Sequence, residues 1–406
     1  MTRPTPSVVI VWLEYSSVAT KRHTSSLFIG GRSDDFSSED VEGYRRWRRE
    51  VKAMSTPRYS IRTYGPEDEQ PVLNLLGQAL RGWAVCSDRP GLWRWKHFAN
   101  PFGPSHVCVA CNEKGDLIGV LAFMRMRLRR GDEFIQSVRV VDAAMHPGYQ
   151  KMGIAFAMRQ RLLEAARRDG AILVFATPNE LSLPLSIKGG SHLAGLIRPF
   201  IRVFNYRRLV LGLVRSRLNR AFSPHYEPRD FFRQEPQPVR AILERREELE
   251  RLLEQDERHQ ERSFRIDRSW EYLRWRYGEH PLTTYYTVYR EHRGELVGCA
   301  IFRTDTYRSL KGIVLNELLS SMSEERLAEA VLNQLEGILS ADYLLTYFSE
   351  PSMHRRVLSR KGFLRLRRPA FNLTVGVWDP EIGKAPLHLD SWSLTPGDLE
   401  ESWAWR

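Results

Sequence analysis

Two stretches of the chain repeat each other, and a duplicated sequence has to fold as two copies of one unit. The first is WRWKHFANPFGPSHVCVACNEKGDLIGVLAFM (93–124) and the second is YLRWRYGEHPLTTYYTVYREHRGELVGCAIFR (272–303). Trp95 aligns with Trp275, Pro101 with Pro281, and GDLIG (115–119) with GELVG (294–298) after a one-residue gap. Farther on, LSIKGG (185–190) answers LSRKGF (358–363). Single positions agree weakly, but the order and the nearly constant offset hold throughout. Trp95 and Trp275, recurring in both copies, read as packing residues, as does Trp93.

Each copy predicts the same order of elements. A helix carrying the tryptophan leads into two strands joined by a Gly-centred hairpin, NEKGDLIG or EHRGELVG. A further strand follows, SVRVVDAAM or GIVLNELLS, then a long helix, a strand, a helix and a last strand. That order gives an α+β fold, an α/β sandwich with a mixed, mostly antiparallel twisted sheet flanked by helices, occurring twice. The expected divisions are an extension over 1–53, a first domain over 54–206, an Arg-rich helical linker over 207–263, a second domain over 264–377 and a Trp-rich acidic tail over 378–406. Met54 offers an alternative start, which would leave 1–53 as a disordered extension. The linker's run VRAILERREELERLLEQDERHQER reads as a solvated helix.

Composition removes several functions. Net charge is +12, but the basic residues are spread through the chain instead of forming one stripe, so nucleic acid is not an expected partner. Four cysteines make no disulfide framework. Cys108 and Cys111 fall on a strand, where an odd spacing sends the side chains to opposite faces, so no metal site is expected. The apolar run VVIVWL (8–13) is too short to span a bilayer and has no cleavage site behind it. The expectation is a cytoplasmic protein without membrane contact. Trp392, Trp403 and Trp405 in the tail either pack onto the second domain or line a sugar-binding groove, and packing is the commoner outcome.

The junction between the third strand and the long helix of the first copy carries the chemical signal. It reads HPGYQKMGIAFAMRQRLLEAARRDG (146–170), and its first acid is Glu164. Helix starts attract Asp or Glu because the first turn leaves N–H groups unpaired at the positive end of the dipole. A start without acids is ready to bind an anion. Backbone N–H groups from Gln150 through Lys151, Met152, Gly153 and Ile154 to Ala155 can form a nest for a diphosphate. Gly153 lets the backbone approach closely, and Ala155 keeps the next turn shallow.

The run Gln150-x-x-Gly153-x-Ala155, set between a strand and a helix, resembles the pyrophosphate signature Q/R-x-x-G-x-G/A of the GNAT N-acetyltransferase superfamily. The resemblance covers about 58–206, with a reduced copy over about 264–376. It implies acetyl-CoA as co-substrate and no metal. It also implies a bulge in the preceding strand, with the N–H of Met145 or Ala144 bonding the thioester carbonyl. Asp142, the one acid leading into the motif, is either the general base for the attacking amine or a structural carboxylate bonded to a neighbouring loop. His146 and Glu133 are weaker options for the base. Asn179 resembles the family's asparagine that bonds the pantetheine arm, and it is also a good N-cap. The tyrosine that many members place in the following helix is missing, since Leu185 or Ser186 stands there.

The second copy reads LLSSMSEERLAEAVLNQLEG at the matching junction, with Ser323, Glu324 and Glu325 in place of the nest. Those acids oppose a diphosphate, so this copy is expected not to bind coenzyme A. The expected activity is therefore acyl transfer, most simply of acetyl, to a primary amine of a small molecule or amino sugar. Alternatives are a tRNA-dependent peptidyl- or aminoacyltransferase of the tandem type and a non-catalytic CoA-binding regulator or scaffold. The sequence leaves the acceptor, the acyl length and the oligomeric state open.

Overall fold

The computed structural model describes residues 58–211, 226–257, 263–307, 309–321, 325–348, 353–367 and 370–399. The expected disorder of 1–53, together with Ser323, Glu324, Trp403 and Trp405, lies outside the described residues. In the first copy, β1 (Tyr59–Thr63) precedes three helices, α1 (Glu69–Ala79), α2 (Arg81–Ala84) and α3 (Arg89–His97). Strands β2 (His106–Asn112), β3 (Leu117–Arg130) and β4 (Glu133–Met145) then form an antiparallel meander. Helix α4 (Ile154–Arg168) crosses back to β5 (Leu173–Ala176), which lies parallel to β4. Helix α5 (Leu183–Lys188), β6 (His192–Ile197) and β7 (Phe200–Val203) complete the run. Alternation along β3 sends Val120, Ala122, Met124 and Met126 to the core shared with α1 and α3, and Leu121 and Phe123 to the core under α4. Cys111 and Cys108 divide between the same two cores.

The second copy repeats this order from an earlier point than the expected residue 264. Strand β8 (Gln237–Pro238) pairs β10 (Tyr286–His292) as β1 pairs β2. Helices α6 (Arg240–Leu243), α7 (Arg246–Glu257) and α8 (Trp270–Leu273, continuing as a π-turn over Arg274–Gly278) follow. The short β9 (Arg265–Ile266) between α7 and α8 pairs with β3 of the first sheet. The predicted solvated linker is thus corrected: Leu249, Leu252 and Leu253 of α7 are buried together with Asp256, which accepts from Ser320 N–H, and most of the other charged side chains face outward. Strands β11 (Glu295–Tyr307) and β12 (Leu310–Ser320), α9 (Glu325–Ile338), β13 (Tyr343–Thr346), α10 (Met353–Arg360), β14 (Leu364–Arg365) and β15 (Phe371–Val377) continue the copy.

The two sheets do not respect the division at 206. The first runs β1-β2-β3-β4-β5-β15-β6 and the second β8-β10-β11-β12-β13-β7-β14. Each copy's last strand therefore fills the sixth place of the other copy's sheet, β15 between β5 and β6, and β7 between β13 and β14.

The repeated tryptophans meet at the centre of this arrangement. Trp95 and Trp275 stack with centroids 4.7 Å apart and 15° between planes. Each indole N–H donates to the other residue's carbonyl, both at 2.9 Å. The pair is a local two-fold contact between the copies, and both side chains are buried. The tail packs beside it, with Trp392 fully buried between Phe175 of β5 and Phe264. Replacing either Trp95 or Trp275 with Ala should cost about 3–5 kcal/mol. The double mutant should show a coupling of about 1–3 kcal/mol, measured by urea unfolding. Strict additivity would contradict a shared contact.

Candidate active site

The site grows from one irregularity in β4. Val120 pairs with Ala144, but Ala122 pairs with Val141, so Asp142 and Ala143 together oppose Leu121. This is a β-bulge, and Asp142 takes φ +43°, in the left-handed region that Asp tolerates better than most residues. Past the bulge, His146 N–H donates to Ile118 O at 2.8 Å. Gly119 and Met145 are then a non-hydrogen-bonded pair, and the N–H and C=O of Met145 point away from β3. On that side β5 has already departed, because β4 and β5 pair only over Ser137–Arg139 and Leu173–Phe175. The result is a V-shaped split with a backbone donor on one wall. Gln150 Nε2 donates to Met145 O at 3.2 Å, tying the following loop to the same wall.

That loop begins as a 3-10 turn over Pro147–Tyr149 and passes through Lys151 at φ +64°. Gly153 then caps α4 at φ +81°, with no side-chain cap and no acid in the first turn. A Cβ on Gly153 would meet nothing within 4 Å, so the approach to the first-turn N–H groups is open. Lys151 and Met152 are exposed, Gln150 and Ala155 half-buried, and Ile154 packs in the core. The corresponding helix of the second copy, α9, has Glu325 in its first turn, held by Arg356 and Arg360. A carboxylate already stands there.

Asp142 lies inward from the bulge, at 5% side-chain exposure, among three donors. Lys96 Nζ is 2.7 Å from Oδ2, His97 Nε2 is 2.9 Å from Oδ2, and Trp83 Nε1 donates to Oδ1 at 2.8 Å. His97 Nδ1 is in turn 3.0 Å from Ser105 Oγ. Burial pushes the carboxyl's pKa upward, but the Lys96 charge and the bonds from His97 outweigh it and hold the group well below the usual carboxylate range. A carboxylate so engaged is a poor proton acceptor at neutral pH. The loop partner expected for a structural carboxylate is not what Asp142 meets; its partners lie on helices α2 and α3.

The second copy has a counterpart built from the same places. Tyr277, two residues past Trp275 as His97 is past Trp95, donates to Glu317 Oε1 of β12 at 2.6 Å. Arg268 bonds Glu317 and Asp398, while Thr395 Oγ1 also donates to Glu317 Oε1. The chain's own tail segment therefore fills this centre.

The remaining candidates fall as follows. Asn179 Oδ1 accepts from the N–H groups of Leu181 and Ser182 in the turn before α5, whose own N-cap is Ser182. Leu185 and Ser186 are buried. His146 is exposed and accepts from Gly148 N–H. Glu133 stands at the far end of β4, nine residues and roughly 30 Å of strand from Asp142, too far for any part in the site. Sequence reasoning missed Lys96, His97 and Trp83. The signal available was the Lys96-His97 pair directly after a repeated tryptophan, matched by Arg276-Tyr277 in the second copy. Among the described residues no group of three His, Cys, Asp or Glu side chains could hold a metal ion, and no helix is long and apolar enough to cross a membrane.

His280 packs against Trp95 with ring centroids 4.4 Å apart and tilted by 54°, and accepts from Leu282 N–H through Nδ1. Burial, then the charges of Arg276, Arg303 and Lys96, push its pKa down to about 3. Its neutral form favours the fold above the ordinary imidazole range, and that contribution drains away as pH falls from about 6.5 toward 3. His280→Asn, which keeps an acceptor at the Nδ1 position, should flatten the fall in urea stability between pH 7 and pH 5. An unchanged slope would assign the effect to other groups.

The sheet order with its flanking helices defines a GNAT-like α+β fold, present here in two copies, and the first copy adds the split and the acid-free helix start. The family model described as acetyltransferase (GNAT) domain matches residues 60–184. Among solved structures, a GCN5-related N-acetyltransferase from Anabaena variabilis superposes with a TM-score of 0.57 at 15% identity, covering 81% of this chain and 74% of that one. A protein from Enterococcus faecalis described as a probable N-acyltransferase of unknown function gives 0.54 at 10% identity, covering 79% of this chain and 73% of that one. At these identities the likeness is one of fold. No curated protein matches the chain in sequence.

Proposed function

We propose that the protein is an acyl-CoA-dependent N-acyltransferase that moves an acetyl group from acetyl-CoA to a primary amine of a small molecule or amino sugar. The observation that carries this reading is the Met145 N–H facing the β4–β5 split, one turn away from the open helix start at 150–155. Residues 150–155 would hold the diphosphate with backbone N–H groups and the helix dipole. Asn179, whose Oδ1 is used within the turn before α5, would serve the arm with its amide nitrogen. The Met145 N–H would donate to the thioester oxygen as charge develops there. The amine nitrogen forms a bond to the carbonyl carbon, the C–S bond breaks, and the nitrogen gives up a proton while the departing sulfur gains one. With no tyrosine on α5, water is the proton source for the thiolate. Asp142 enters as a positioning residue, tying the bulge to α3 so that the Met145 N–H stays aimed into the split.

The test is continuous measurement of free thiol with acetyl-CoA and a panel of amines: amino sugars, polyamines and amino-terminal peptides. Amine-dependent thiol release supports the reading. Binding of acetyl-CoA without turnover on any amine would favour a CoA-responsive regulator, and dependence on charged tRNA would favour aminoacyl transfer.

A further inference from the structure

Arg159 lies on α4, 2% exposed, and burial alone pushes its pKa down to about 10, with no neighbouring carboxylate acting on it. Its Nη2 donates to Ser191 Oγ at 2.9 Å, and its Nε is sealed without an acceptor. The guanidinium sits 5.8 Å from the Phe123 ring centroid. A guanidinium carries five donors, so one neutral hydrogen bond leaves it far from satisfied. A buried cation in that condition costs the fold stability, and an apolar side chain of similar size would remove the cost.

Its location says what could use it. Phe123 pairs with Val140 of β4, just past the last residue that β4 shares with β5. Ser191 lies on the far side, over Gly376 of β15 and Val174 of β5, which pair with each other. Arg159 thus reaches from α4 to the foot of the β4–β5 split, on the face covered by α4, where Val138 still pairs with Val174. Space is made for it by Gly189, where a Cβ would stand 2.2 Å from Arg159 Nε. Helical side chains lean toward the helix N-terminus, which turns the guanidinium toward the open loop at 150–155.

We propose that Arg159 is a donor-binding residue, donating to an amide carbonyl oxygen of the pantetheine arm where the arm enters the split. This rests on the acyl-CoA reading above. The carbonyl is favoured over the diphosphate because Arg159 stands five residues into the helix, roughly 7 Å along its axis from the first turn. Nε has no acceptor and Nη2 is bound to Ser191, so the N–H groups of Nη1 are the ones that would take the carbonyl.

The experiment compares wild type and Arg159→Met for the Kd of acetyl-CoA, the Kd of adenosine 3′,5′-bisphosphate, and the Tm without ligand. The expected result is a loss of about 10-fold or more in acetyl-CoA affinity, equivalent to about 1.4 kcal/mol. The bisphosphate, which has no arm, should bind both proteins alike, and the ligand-free Met variant should melt higher. Equal acetyl-CoA affinities overturn the proposal, and equal weakening of both ligands assigns Arg159 to the phosphate end and overturns it as well. A variant that fails to fold shows that the guanidinium holds the fold together, again against the proposal. A wild type that binds neither ligand brings down the acyl-CoA reading itself, a result distinguishable from all the others.

Discussion

Gly153→Glu is expected to remove the rise in Tm that acetyl-CoA produces in the wild type, and with it at least about 100-fold of affinity, or ~2.7 kcal/mol. At a ligand concentration about 100 times Kd the wild type should gain ~2.7 kcal/mol, a shift of several degrees for a chain of this size. The mutation adds a carboxylate at the one place where the helix start has none, and that carboxylate can cap the first-turn N–H groups itself. Space is not the obstacle, since nothing lies within 4 Å of a Cβ there. The φ of +81° costs a side chain roughly 1–2 kcal/mol, which the fold should survive. Gly153→Asn is the control, because Asn accepts this φ and carries no charge. Asn should keep most of the binding that Glu loses. If both variants bind like wild type, the open loop at 150–155 is only a turn.

The second large effect is expected at Asp142→Asn. Asn tolerates φ +43°, so the bulge can persist, but Lys96 at 8% side-chain exposure would lose the carboxylate it now faces. Removing one member of a buried ion pair costs about 3–5 kcal/mol. The folded-state pKa of Asp142 is depressed, so its contribution is present above the ordinary carboxylate range and is lost as pH falls below it. The wild type and Asn variant should therefore differ most at neutral pH and converge in strong acid, as followed by urea unfolding at pH 7, 5 and 3. A gap that stays constant down to pH 3 would mean that packing, not charge, sets the cost. Adding Lys96→Met to the Asp142→Asn variant should restore much of the lost stability, because that change removes the buried charge whose carboxylate has gone.

The open helix start was legible because it is local: six residues at a strand–helix junction, with glycine and no acid. The duplication was legible because both copies keep their tryptophan and their hairpin glycines in order. The partners of Asp142 were not, since Lys96 and His97 lie 46 and 45 positions away and reach it only through the packing of α3 on the sheet. The start of the second copy was misplaced because β8 spans two residues and α7 looks charged all round until Leu249, Leu252 and Leu253 are placed on one face. Strand exchange has no signature in either strand, because the sixth place in both sheets accepts the same kind of apolar segment.

The crossing of β7 and β15 also sets a schedule for synthesis on the ribosome. Strand β5 ends at Ala176, but the strand that covers its edge begins at Phe371, about 195 residues later. At ~5–20 residues per second, the nascent first sheet waits on the order of 10–40 s with that edge bare. An uncovered edge of Leu173, Val174 and Phe175 is a template for pairing with other chains. Slowing translation between codons 177 and 370 should therefore lower the soluble yield more than slowing it after 377, and co-expressed holding chaperones should recover the difference.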